Sequence, residues 1–582
     1  MSNSFSILLK TLSLGMVLLL ISNGCNREKS ETAPAATLAG TVFPAMNDTQ
    51  KLGQTLCLAV DPIGYFLLPE YSEKVQNLVR KCGPGAVYFA SDIKSWKPRL
   101  VLEFNAGKLR EVVKNIQSLS QIPILFAADF ESGAWFWDKD ATHFSSPMAL
   151  GATGAPEMAY REGKITGLEA KVQGINWIFA PPGNSIQRSD PVAFSINCFG
   201  SDPNAVSEFC TRFIQGCQEA GTAACLKYFP GPGRLLEGNS AGEFTPFKSG
   251  ISAGVLSIMG NDFSLSGEES GLSRLPVKNY LAKQLGFTGP VVRKIVGNDS
   301  NTPVSAQAAA LVESYAEGND MVILPDDVEK NAPLVDQLIT QTQLGKMEMS
   351  AINSSALKIM KMKDALKLTI QDRNLSPILT GIGIDEYRRT ARDIVQSSIT
   401  LLRNDDAILP LNFNKQYILF LHFIDAQSVS DATFFSDKIA NACPEAKQVT
   451  IFQEPDKRIT HEVLRRSSEA AIVVCTFFIN PAPGIDASRI PREYVQLIHQ
   501  ALLRNRNTVG VSFFSPFLIN ELPELKAFLA AYSISDFSMS AVLDVLSGKT
   551  GAAGRLPVTI SDRYPAGFGL KLASPHPISP LP

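Results

Sequence analysis

The chain has 582 residues, 54 Lys and Arg against 56 Asp and Glu, a formal net charge of −2 and 45% hydrophobic residues. That length exceeds one compact core, so two domains are expected, and the near-neutral balance without a basic run argues against nucleic acid as a partner. The nine cysteines fall mostly within apolar stretches, and no Cys/His set has metal-ligand spacing, so neither a metal nor any other cofactor is expected.

The chain opens "MSNSFSILLKTLSLGMVLLLISNGCNREKS". Lys10 precedes an apolar run too short for a good membrane span, the pattern of an export signal over 1–24. The run ends in "LISNGC", which resembles the lipobox of bacterial lipoproteins. That resemblance implies a lipid on Cys25 and a lipid-anchored protein of the bacterial cell envelope. Residues 25–48 are polar, contain proline and lack periodicity, so a flexible tether is expected there.

From Leu52 onward short apolar runs alternate with helical patterns: "GAVYFA" (85–90), "PILFAADF" (123–130), "NWIFAPP" (176–182), "AACLKYF" (223–229), "GVLSIMG" (254–260), "GPVVRKIV" (289–296) and "DMVILPD" (320–326). Repeated strand–helix units predict a parallel (β/α)₈ barrel over 49–370, with strand-end residues at the functional mouth. Among them are Asp129, Lys227 and Lys294. Cys210, Cys217 and Cys225 read mainly as core residues, although an oxidising compartment would allow a bridge among them. In the aromatic stretch "AWFWDKD", Trp135 or Trp137 serves either as a sugar-stacking lip or as loop packing. A linker is expected over 371–390. A second domain, an α/β sandwich over 391–582, follows from a helix running into "ITLLRNDDAILPL" and from the apolar runs "YILFLHFI", "AAIVVCTFF" and "TVGVSFFSPFL".

In order along this architecture stand "ADFESGAWF", "GINWIFAPP", "FGSDP", "KYFPGPG", "LGFTGPVV", "EGNDMVILPDD", "SSITLLRNDDAILPL" and "GAAGRLPVTI". With these segments the chain resembles glycoside hydrolase family 3, of the β-glucosidase and β-N-acetylglucosaminidase type. The resemblance implies a retaining mechanism, in which a carboxylate attacks the anomeric carbon and a second group protonates the leaving oxygen. It also implies sugar-contacting roles at Asp129, Glu131, Asn184, Asn197, Lys227, Tyr228 and Asp262.

The catalytic positions depart from the family pattern. Counting from Gly286 places Lys294 where the family has its nucleophilic Asp. In the acid/base loop, Gly238 and Ser240 fall where the N-acetylglucosaminidase branch has an Asp-His pair, and only Glu237 and Glu243 could replace it. Asn184 and Asn197 stand for the family's Asp and Arg, and Ala134 for another Arg. Between His143 and His422 the chain has no histidine, so a histidine acid borne by the barrel would have to be His143. An ammonium below the ring opposes an oxocarbenium-like transition state and, while protonated, has no lone pair for attack.

Three readings of Lys294 follow. It pairs with Asp129 or Asp262 across the mouth, it is an amine nucleophile with a depressed pKa, or the nucleophile has moved to Asp299. For the whole chain the expectation is an inactive, glycan-binding or scaffolding lipoprotein whose partner is a β-linked glycan or a peptidoglycan fragment. The alternatives are an active β-glycosidase with a reassigned nucleophile, and a purely structural protein.

Overall fold

The computed structural model describes residues 37–90, 103–186, 196–231, 242, 244–260, 277–295, 303–316, 318–325, 327–369, 381–479 and 490–573. Eight parallel strands close into a barrel: β1 Leu56–Val60, β2 Ala86–Phe89, β3 Leu125–Ala128, β4 Trp177–Ile178, β5 Ala223–Phe229, β6 Ser257–Gly260, β7 Val291–Lys294 and β8 Met321–Leu324. Each follows its predecessor in space, and β8 closes on β1 through Leu56–Val322 and Leu58–Leu324. All seven apolar runs named above contain a strand; β1, "LCLAV", is the eighth.

Alternation along the strands divides the barrel in two. One set of side chains packs inside it: Cys57 and Ala59, Ala86 and Tyr88, Leu125 and Ala127, Ala223 and Cys225, Val292, Met321 and Ile323. The other set, including Leu58, Val87, Phe126, Leu226 and Val322, packs against the outer helices. Two steps beyond Ala127, Cys225 and Val292 stand Asp129, Lys227 and Lys294, so the pleat aims all three into the barrel at its carboxyl-terminal end.

The amino-terminal end is closed by the helix Met349–Ala365, whose Ile359 and Met362 pack on the interior residues. This helix also holds the first described residues. Asp364 accepts hydrogen bonds from the amides of Leu38 (2.6 Å) and Ala39 (3.0 Å), and Leu38 and Met46 are buried with Ile122 and Met360. The tether expected over 25–48 is thus corrected in its last part, where residues 38–45 form two short helical turns docked on the barrel floor; residues 25–36 lie outside the described residues. Turns of five and three residues are too short to leave a periodic signature in the sequence.

The second domain is a six-stranded sheet in the order β11-β10-β12-β13-β14-β9, with β9 Thr400–Asn404, β10 Ile418–Ile424, β11 Lys447–Phe452, β12 Ile472–Phe478, β13 Thr508–Ser512 and β14 Ala527–Ala530. Only β9 runs antiparallel to its neighbour. Every residue of β10 and β12 is buried, as expected of parallel strands covered by helices on both faces. Helix Asp385–Ser398 leads into β9, so helix begins inside the stretch read as linker.

The domains share a core. Met148, Ala149, Ala152, Ile186 and Cys198, all from the barrel half of the chain, pack among residues of the second sheet. The backbone joins them as well: Arg555 N donates to Ala152 O (2.9 Å) and Ser201 N to Pro557 O (3.0 Å). The eight described cysteines are buried and none is in a disulfide. Cys210 and Cys217 each donate to a nearby carbonyl, of Pro182 and Thr222, so the bridge considered among Cys210, Cys217 and Cys225 is not formed.

Candidate functional site

Lys227 organises the mouth. Its side chain is 1% exposed, and its ammonium contacts Asp129 at 2.6 Å and Glu131 at 2.5 Å, whose side chains are 40% and 20% exposed. Tyr88, from β2, donates its phenol proton to the other Asp129 oxygen at 2.5 Å. The Asp129 carboxyl lies below the ordinary range: burial raises it, but Lys227, the Tyr88 hydrogen bond and the charge of Lys294 together outweigh burial. The Lys227 ammonium moves well upward for the complementary reason, since its two carboxylates overcome the desolvation that would neutralise it. Burial and the Asp129 charge both push the Tyr88 phenol up.

The strand end of β5 is held from the segment that follows β4. The Asn184 carboxamide accepts from Tyr228 N at 2.9 Å and donates to Tyr228 O at 2.8 Å. It thereby holds the backbone that follows the buried lysine, where the Lys227–Tyr228 peptide is cis. Asn184 is therefore a positioning residue, its polar atoms engaged with backbone. The Tyr228 ring stands 5.2 Å from the Lys227 ammonium.

Lys294 ends β7 and is half-buried. Its ammonium lies 5.4 Å from the centre of the Tyr88 ring, a cation–π distance, and among the described residues it makes no ion pair. Of the two partners expected for Lys294, Asp129 is corrected, because Lys227 makes that salt bridge, and Asp262 lies outside the described residues. The reason is geometric, because Lys227 lies deeper along the longer β5 and reaches both carboxylates, whereas Lys294 acts on Asp129 only through space. The structure brings together Asp129, Glu131, Asn184, Lys227, Tyr228 and Lys294. Asn197 belongs to a separate segment, 196–200, ahead of the helix Pro203–Glu219. Glu237, Gly238, Ser240, Glu243, Asp262 and Asp299 lie outside the described residues, as do Cys25 and the signal segment.

Tyr88 carries no mark of function in the sequence, since an aromatic residue in "GAVYFA" reads as core. Its signal was positional: it stands one inward step beyond Ala86, near a strand end. Of the aromatic loop, Trp137 is buried against Phe136 and Phe104, which makes it loop packing, while Trp135 stacks on His143 at 3.8 Å. Burial lowers the His143 pKa to about 4 against an opposing pull from Asp536, so at neutral pH this ring carries no proton to donate as a general acid. Asp129, held below the ordinary carboxyl range, is equally unsuited to that role, which needs a pKa near the working pH.

Comparison with known proteins places this geometry. Residues 49–362 match the model of the glycosyl hydrolase family 3 N-terminal domain and residues 399–568 that of the family 3 C-terminal domain. A β-N-acetylglucosaminidase/β-glucosidase of Cellulomonas fimi is 24% identical over 89% of this chain and 94% of its own length. Among solved structures, a family 3 β-N-acetylglucosaminidase from Paenibacillus sp. str. FPU-7 superposes with a TM-score of 0.72 at 21% identity, covering 89% of this chain and 99% of that one. A fungal multi-domain β-N-acetylglucosaminidase gives 0.76 at 19% identity over 89% of this chain, which spans 61% of that longer protein. With both domain models matched in order on a closed barrel and its companion sheet, the chain belongs to glycosyl hydrolase family 3.

Proposed function

We propose that this protein binds a β-linked glycan or peptidoglycan fragment in the barrel mouth without hydrolysing it, and that a lipid on Cys25 holds it in the bacterial cell envelope. The observation that carries the reading is Lys294. It faces inward at the end of β7, where the family resemblance puts the nucleophilic carboxylate, and its charge would destabilise a cationic transition state. Two further features support it. The carboxylates at hand, Asp129 and Glu131, already neutralise Lys227, and His143 is held neutral by burial.

The test is a panel of aryl β-glucosides and β-N-acetylglucosaminides given to the chain lacking residues 1–25, alongside binding of peptidoglycan fragments. Binding without turnover is expected, and Lys294→Asp alone is expected not to restore turnover. The second reading, an active β-glycosidase, is favoured by the activities named for the Cellulomonas fimi relative. Turnover that disappears in Asp299→Ala would establish it and refute the first. For the anchor, fatty-acid labelling that is lost in Cys25→Ser is expected; an unlabelled wild type that still partitions to membranes would refute it.

A further inference from the structure

We infer that the sugar unit seated in the mouth carries a carboxylate, and that Lys294 is the side chain that recognises it; this rests on the glycan-binding reading and names the ligand class. Among the described residues the mouth holds two carboxylates and two ammonium groups, unevenly matched. Lys227 is sealed at the base of the mouth and contacts both Asp129 and Glu131. The Tyr88 hydroxyl is committed to Asp129, so toward Lys294 this residue presents only its ring face. Lys294 is thus a half-buried ammonium with a π face on one side and no carboxylate of the described residues in contact.

A neutral sugar would cover that ammonium without matching its charge, losing hydration for nothing equivalent. A ligand carboxylate would form a charge-assisted hydrogen bond in the same place. The partly exposed oxygens of Asp129 and Glu131 remain acceptors for sugar hydroxyls, which fixes the ligand's polarity: hydroxyls over β3, acid over β7. A phosphate dianion fits less well, because its second charge would face Asp129 across the mouth.

The experiment is calorimetric titration of the chain lacking residues 1–25 with gluconate, glucuronate and glucose, with N-acetylmuramate against N-acetylglucosamine, and with glucose 6-phosphate. At least one carboxylated sugar should bind about tenfold or more tighter than its neutral counterpart, the size expected for a hydrogen bond between charged groups. Glucuronate against N-acetylmuramate reports where on the ring the carboxylate sits, and open-chain gluconate reports whether a ring is needed. Lys294→Met should abolish the preference, by weakening the acidic sugar and relieving the neutral one of covering an ammonium, and Lys294→Arg should retain it; circular dichroism checks that both variants are folded. Equal affinity for acidic and neutral sugars, a preference that survives Lys294→Met, or tighter binding of glucose 6-phosphate would each overturn the inference and leave the glycan reading standing. Failure of the wild type to bind any sugar would overturn both.

Discussion

Replacing Lys227 by Met removes the cation that two carboxylates share. For a fully buried pair, loss of one partner costs about 3–5 kcal/mol, because the other charge stays desolvated and alone. Here the lysine is sealed at 1% exposure, but Asp129 and Glu131 reach solvent at 40% and 20%, so water recovers part of their hydration and about 2 kcal/mol is expected at pH 7. The methionine fills much of the same volume, so the loss is chiefly electrostatic. That origin has a pH signature. In the wild type the Asp129 pKa is depressed, so the stability it contributes is present above its unfolded pKa of about 3.9 and is lost as pH falls through the lower folded value. Without Lys227 the folded pKa moves up toward or past the unfolded one, and the variant loses less on acidification. Urea unfolding of both proteins from about pH 5 down to about pH 2.5 should show the gap closing. A gap that stays constant over that range would refute the electrostatic account and assign the loss to packing.

Lys294→Met should change stability by less than about 1 kcal/mol in urea unfolding, because this ammonium makes no ion pair among the described residues and a surface-accessible charge contributes little. Asn184→Ala removes both hydrogen bonds to the Tyr228 backbone and should cost about 2 kcal/mol, again read by urea; a neutral result would refute its positioning role. Lys363, buried in the helix under the barrel with its ammonium 2.6 Å from Gln54 Oε1, has its pKa lowered by burial to about 7. The unfolded chain therefore holds that proton more tightly. Wild-type stability gains about 1.4 kcal/mol per pH unit from this group above pH 7 until its unfolded pKa near 10.4, and the full penalty applies below pH 7. Lys363→Met should be more stable than wild type at pH 6.5, with an advantage that shrinks between pH 7 and 8.5; parallel pH profiles would refute the shift.

Where the sequence was legible, the physics was local. A barrel strand is an apolar run bounded by turns, and the runs at 85–90, 123–130 and 223–229 all became strands whose period of two then fixed which residues face inward. That period alone brought Asp129, Lys227 and Lys294 to one mouth. Which cation meets which carboxylate depended instead on depth along neighbouring strands: β5 extends to Phe229 while β7 stops at Lys294, a difference of register that composition does not encode. Tyr88 was hidden because an aromatic ring serves core and mouth alike. The docked turns at 38–45 were hidden because their burial depends on Asp364 and Met360, more than three hundred residues away in the chain.

The common core at the domain boundary has a consequence for how the molecule comes apart. Met148, Ala149 and Ala152 stand on a barrel helix, Pro147–Ala152, yet are buried among Leu419, Val473 and Phe528 of the second sheet. Losing the sheet would strip the cover from one wall of the barrel, and losing the barrel would expose the sheet's apolar face. Neither half is then a self-contained thermodynamic unit. Heating should give one calorimetric transition with the whole chain's enthalpy rather than two separable ones, and a barrel cut off after residue 370 should aggregate for want of a surface supplied from the far end of the chain.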